Sequence, residues 1–349
     1  MDDLSATKQI WHNLYQAAID FRDLGSWEWM SDEEIFGVQH PVTGEIGYCC
    51  IMGALGEMFA LAVYLGSEGL QTYLAILSGG DNLFDELFSS QKCLMASFEP
   101  RQNLTKQDRQ QIKELGFKFR GGSAWPLFRN YQPGYAPWYL TLEEAEFLTL
   151  ALQQSKELAI RLYHNEKSLQ PPQTGHYLVR IPDGEGEALT WKDAWVSPEP
   201  WKPPFLIPQP NQEALRALAD KIVRTGDTWE MDFFHAPMPI QENRNQRPYF
   251  PWVLLAADQF SGLVLICHLA SEENYKTEFQ EAVIRLLRER NIMPKNILVG
   301  RPELYKLLDP LKSGLNLKMR IANKLKGLER VKESLFDFCR RPPGDLEDI

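Results

Sequence analysis

Three carboxylates in the second half of the chain have the types and spacing for metal chemistry. Asp258 ends the strand-like run 252–257 and is followed by Gln259-Phe260-Ser261-Gly262 and a second strand-like run at 263–269. Upstream, 228–234 alternates Trp229, Met231 and Phe233 with Glu230 and Asp232. Hard divalent cations take oxygen ligands. A cation pair clamped by several carboxylates activates water and stabilises a leaving oxygen. On that reading the catalytic candidates are Asp258, Asp232 and Glu230, with Asp258 and Asp232 as ligands of Mg²⁺ or Mn²⁺. The preferred reading of Asp258 is plainer: an aspartate there opens a hairpin turn by accepting backbone N–H groups, and no cofactor is needed. After the short strand 297–299, where a further acid would complete the metal set, the sequence has Gly300-Arg301-Pro302.

A second cluster is aromatic. Trp125, Phe128, Tyr131, Tyr135 and Trp138, with Arg129 among them, fall in one segment broken by proline and glycine. It reads as a rigid loop. Aromatic rings plus an arginine can anchor a protein or small-molecule partner or stack on a base, and a rigid loop loses little entropy on binding. These six are the binding candidates, set against a self-packed satellite core. A third feature is basic: Lys306, Lys312, Lys318, Arg320, Lys324, Lys326, Arg330 and Lys332 lie within 306–332. Nucleic-acid phosphate is a conceivable partner there, but a solvated face is the favoured reading.

The common hydrolase, NTPase and dinucleotide signatures are absent, which argues against those classes though not against every enzyme. HExxH, GxSxG, GxxxxGK[ST] and GxGxxG do not occur. The cysteines are Cys49, Cys50, Cys93, Cys267 and Cys339, an odd and scattered set without CxxC. Neither a disulfide framework nor a zinc site fits, and reduced thiols point to a cytoplasmic location. Cys49 and Cys50 share a predicted strand and should face opposite sides, one of them in the core. The first residues, MDDLSATKQIWHNLY, have no apolar h-region. The most apolar stretch, 51–65, is too short for a membrane span and contains Glu57. No membrane partner is expected.

The elements that must position these residues form two groups. Six prolines between Ser197 and Pro210 bar helix and central strand. The chain therefore reads as an acidic α+β domain over 1–196, a linker at 197–210, a second domain over 211–339 and a frayed tail at 340–349. Residues 1–210 carry 16 Lys and Arg against 27 Asp and Glu, a net −11, whereas 211–349 carry 21 against 20, a net +1. The fold class is α+β with two mixed domains. The first has an antiparallel meander (35–39, 46–52, 59–65) plus helices. These include a helix capped by Ser67, one at 105–115 and a long one opened by the Thr141–Glu144 capping box. A hairpin at 176–181 and 188–196 turns through 183–186. The second has a mixed sheet of ββαβαβα-like order, with a strand at 315–321 and a last helix at 326–338.

Two resemblances follow from these residues. WEWMSDEEIFGV at 27–38, TGEIGYCCIMGALGE at 43–57, LAVYLGSEGL at 61–70, FRNYQPGYAPW at 128–138 and ILVGRPEL at 297–304 resemble a family of uncharacterised bacterial and archaeal proteins. Its members join an N-terminal and a C-terminal domain of unknown function. That resemblance implies a two-domain layout and no activity. The Asp258 segment looks like the opening of ribonuclease-H-like nucleases, which implies a first aspartate holding a divalent metal. The sequence departs from that pattern at Gly300. The favoured expectation is a binding or interaction protein without classical catalytic chemistry; the alternative is a metal-dependent nuclease-like enzyme.

Overall fold

The computed structural model describes residues 2–78, 91–164, 169–184, 189–201 and 206–340. Parts of the predicted 183–186 turn, the start of the 188–196 strand, residues 202–205 of the linker and the tail after 340 lie outside them. The chain divides into two compact units. One runs to Lys202 apart from Gly134–Ala136, and those three residues belong with the second unit, from Pro203 onward. Among the described residues no helix is long and apolar enough to cross a membrane.

The first unit is built on a seven-stranded sheet. Its elements in chain order are α1 (Asp2–Leu24), β1 (Phe36–Gln39), β2 (Ile46–Met52), β3 (Ala60–Leu65), α2 (Gly66–Leu77), β4 (Cys93–Glu99), α3 (Lys106–Glu114), β5 (Trp125–Tyr131), α4 (Leu142–His164), β6 (Tyr177–Asp183) and β7 (Thr190–Val196). The sheet order is β5-β4-β3-β2-β1-β6-β7, antiparallel except for the β1–β6 pair. β2 and β3 are central and buried on both faces, so their sequences, IGYCCIM and ALAVYL, are nearly continuously apolar. One face packs under α1 and α4 through Leu14, Phe21, Cys49, Leu61, Leu148 and Leu152. The other carries Tyr48, Cys50, Tyr64, Tyr73 and Cys93. The two adjacent cysteines thus do point to opposite faces, and both are core.

Two local expectations are corrected. The segment read as a rigid loop is β5 as far as Tyr131, paired antiparallel with β4 from Cys93↔Tyr131 to Glu99↔Trp125. Pro126 is tolerated because β5 is an edge strand. Ser67 does not cap α2, which begins at Gly66 after Leu65 with no side-chain cap. The Thr141–Glu144 box is present: Thr141 N–H donates to Glu144 Oε2 at 2.8 Å, and Glu144 N–H to Thr141 Oγ1 at 3.2 Å.

The second unit contains α5 (Gln212–Ala219), β8 (Val223–Arg224), β9 (Thr228–His235), β10 (Trp252–Asp258), β11 (Val264–Ala270), α6 (Tyr275–Arg290), β12 (Ile292–Met293), β13 (Asn296–Val299), α7 (Pro302–Leu315), β14 (Met319–Ile321) and α8 (Lys326–Arg340). Its main sheet has the order β11-β10-β9-β13-β14. β10 pairs antiparallel with both β9 and β11, and β13 and β14 run parallel to β9. α5, α6 and α7 cover one face through Trp229, Met231, Phe233, Leu254 and Phe279. α8 covers the other through Phe234, Val253, Leu255, Leu298 and Leu328. The strand expected at 315–321 is shorter, because α7 continues to Leu315 and ends at Asn316, which takes the left-handed conformation.

Candidate functional site

β9 is the central strand of its sheet, and the two-residue period puts Glu230 and Asp232 on the α8 face. Both are buried. Glu230 is used by the fold. Its Oε2 accepts the N–H groups of Gly327 at 2.8 Å and Leu328 at 3.0 Å, and its Oε1 accepts Gln259 Nε2 at 2.9 Å. The first two donors are free amides of the first turn of α8, so Glu230 caps that helix from a neighbouring strand.

Asp232 is held between two cations. Arg301 Nε donates to its Oδ1 at 3.1 Å, and Lys332 Nζ lies 3.7 Å from its Oδ2. Lys332 also sits 4.3 Å above the Phe234 ring. Gly300 closes the third side: a Cβ built there would lie 3.0 Å from Asp232 Cγ. The place after 297–299 where sequence reasoning looked for a further acid does face Asp232. It holds a glycine, with Arg301 next to it and Lys332 coming from α8.

Asp258 does not join this group. Register pairs it with Trp229, which puts it on the sheet face opposite Glu230 and Asp232. Its Oδ1 accepts Ser261 N–H at 2.8 Å and Ser261 Oγ at 2.7 Å. These bonds hold the carboxyl below the usual aspartate value. It is a turn aspartate, as the plainer reading had it. The metal reading needs Asp258 with Asp232, and the structure does not bring them together. Among the described residues no group of three or more His, Cys, Asp or Glu side chains is arranged to hold a metal ion. Asp232 is paired with two cations, and Glu230 is spent on amides.

The aromatic candidates are dispersed by strand geometry. Phe128 is buried in the main core of the first unit. Arg129 turns inward and grips Asp108 with two bonds, 3.0 and 2.7 Å, its guanidinium 4.7 Å from the Tyr139 ring. Trp125 packs against that same core, and Tyr131 packs against the tyrosine face. Trp138 exchanges backbone bonds with Asn130 across the β5 edge. Tyr135 belongs to the second unit, where it bridges Tyr249. None of the six is fully exposed.

A recess elsewhere in the first unit was missed by sequence reasoning. It is a groove of about 750 Å³ between α1, the turn after β1 and α4. Ile10, Val42, Phe147 and Leu150 supply apolar wall, and Glu143 and Glu146 stand on the α4 side. Its size is within the range of ligand sites. The polar residues converge from three separate segments, so no local motif announces it.

Comparison with known proteins agrees with the two-domain layout. Residues 11–180 match the family model described as a domain of unknown function (DUF7309), and residues 214–336 match a second, a domain of unknown function (DUF6930). The two matches cover an N-terminal and a C-terminal domain, as the resemblance of the motifs implies. No curated protein matches it. Solved structures give distant likenesses. The catalytic core domain of BIV integrase is 15% identical with a TM-score of 0.25, over 32% of this chain and 68% of that one. The HTLV-2 integrase catalytic core domain in complex with magnesium is 15% identical with a TM-score of 0.24, over 35% and 79%. The simian T-cell lymphotropic virus intasome in complex with a PP2A regulatory subunit is 14% identical with a TM-score of 0.25, over 35% and 46%. Likenesses at that level carry no argument about fold or chemistry.

Proposed function

We propose that the chain acts by binding a protein or small-molecule partner, and that its second unit keeps a ribonuclease-H-like sheet without metal-dependent chemistry. The support for the sheet is its order: numbered along the chain from β9 and leaving out the short β12, the strands lie 3-2-1-4-5, with the first three antiparallel and the last two parallel. The observation that carries the rest is the Asp232 cluster. A metal centre gathers anionic oxygens around a cation. Here two fixed side-chain cations already surround one carboxylate, and a third positive charge would be repelled. The groove in the first unit supports the binding reading.

The test is a thermal melt with and without Mn²⁺ and Mg²⁺, on the wild type and on Asp232→Asn. A ligand that binds only the folded state raises the midpoint. Neither metal should move the wild-type midpoint, and single- and double-stranded nucleic acids should stay intact in the presence of either. A metal-dependent rise that Asp232→Asn abolishes, or cleavage that it abolishes, would overturn the proposal.

A further inference from the structure

We infer that the groove of the first unit receives an organic cation with an apolar chain, of the alkyl-diamine class. This deepens the binding reading and rests on it. The shape argument is the apolar wall of Ile10, Val42, Phe147 and Leu150 in a recess of about 750 Å³, which suits a methylene chain. The charge argument is complementarity. Glu143 and Glu146 are the acids lining the groove, and no Lys or Arg lines it. They are three residues apart on α4, so both stand on one helix face. Among the described residues neither carboxylate takes part in an ion pair or side-chain hydrogen bond. The acid between them, Glu144, is the one the helix uses: it closes the capping box and accepts Asn130 Nδ2. The capping function is therefore filled, and the two flanking carboxylates are left facing the groove.

The remaining wall sharpens the class. His40 Nδ1 accepts the N–H groups of Val42 at 3.1 Å and Thr43 at 3.3 Å, and the ring rests 4.7 Å from Phe147. His40 Nδ1 is thus taken up by the turn, and the ring adds to the groove wall beside Phe147. An anionic ligand would meet two like charges. A diamine places methylenes on the apolar wall and an ammonium group on the carboxylates.

The experiment is isothermal titration of the full chain with diaminooctane, with octanediol as the same chain without charge and ethylenediamine as charge without chain. Diaminooctane should bind, both controls should bind at least about tenfold more weakly, and added salt should weaken the binding. Glu143→Gln with Glu146→Gln should cost about tenfold. Both positions are exposed, the ligand-free melt checks the fold, and Glu146→Gln alone gives the same comparison. Equal binding of diol and diamine, undiminished binding by the double variant, or no binding at all would overturn the inference. The metal melts above are independent of these titrations. A diamine failure with inert metals removes the ligand class alone, whereas a metal response removes the reading beneath it.

Discussion

Arg301 Nε lies 3.1 Å from Asp232 Oδ1, across the seam where β13 ends beside β9. The pair is little exposed, at 22% and 12% of the side chains. Removing one partner of such a pair leaves a buried charge uncompensated, a cost of several kcal/mol when the partner is the sole one. Lys332 remains beside Asp232, so Arg301→Met should destabilise by a smaller amount, about 2 kcal/mol. Asp232→Asn in the same background should recover part of it. A denaturant double-mutant cycle measures the coupling; a value near zero would mean that the pair contributes nothing.

Asp108 and Arg129 make a second, more buried pair. Burial pushes the Asp108 carboxyl up, but the Arg129 guanidinium and the bonds from Thr105 outweigh it and hold it below the usual value of 3.8. A depressed folded pKa contributes stability that is present above 3.8 and is lost as the pH falls through the folded value. Asp108→Asn should cost about 3 kcal/mol at neutral pH, because Arg129 keeps its charge without its counterion. The variant should also show a shallower loss of stability in acid. Urea melts of both proteins at neutral pH and at about pH 3 decide it. Equal acid slopes would remove the assignment.

The strand pairs of the first meander were legible because alternation and turn residues agree. The β5 misreading arose where they conflict: Pro126 and the clustered rings look like loop, yet an edge strand accepts both. The carboxylates were visible, but their partners were not. Gly300 was noticed only as a missing acid, and Lys332 comes from α8, a hundred residues after Asp232. Nothing local to Asp258 reveals that register puts it on the wrong face for Asp232; that follows only from its pairing with Trp229. The groove drew no attention for the same reason, since α1, α4 and the β1–β2 turn contribute its walls separately.

The thiols give a third prediction. Burial pushes Cys49 and Cys50 up to about 12 and raises Cys93 as well. Cys267 is exposed on β11. The thiolate is the reactive form, so the three buried thiols should resist an aromatic disulfide reagent in the native protein. In a Cys339→Ser background, native protein should release about one equivalent and unfolded protein about four. Rapid native labelling of a peptide containing Cys49, Cys50 or Cys93, seen by mass spectrometry, would show that these sheet faces open.

Glu272 gives the last prediction, with the opposite pH sign. Burial raises its carboxyl above the usual 4.5, and the Trp252 indole N–H and Lys276 only partly counter this. Trp252 Nε1 donates to its Oε2 at 2.5 Å. A raised folded pKa contributes stability that is fully present below 4.5 and is lost as the pH rises through the folded value. Glutamine keeps an acceptor for the indole and has no charge to desolvate. Glu272→Gln should therefore match or exceed the wild-type melting midpoint at neutral pH, and its midpoint should fall less as the pH rises. Melts from about pH 4 to about pH 8 test this, because the two curves should separate progressively above the unfolded value. If the variant is instead less stable by a constant amount across that range, Glu272 acts through its bond to Trp252 and not through its charge.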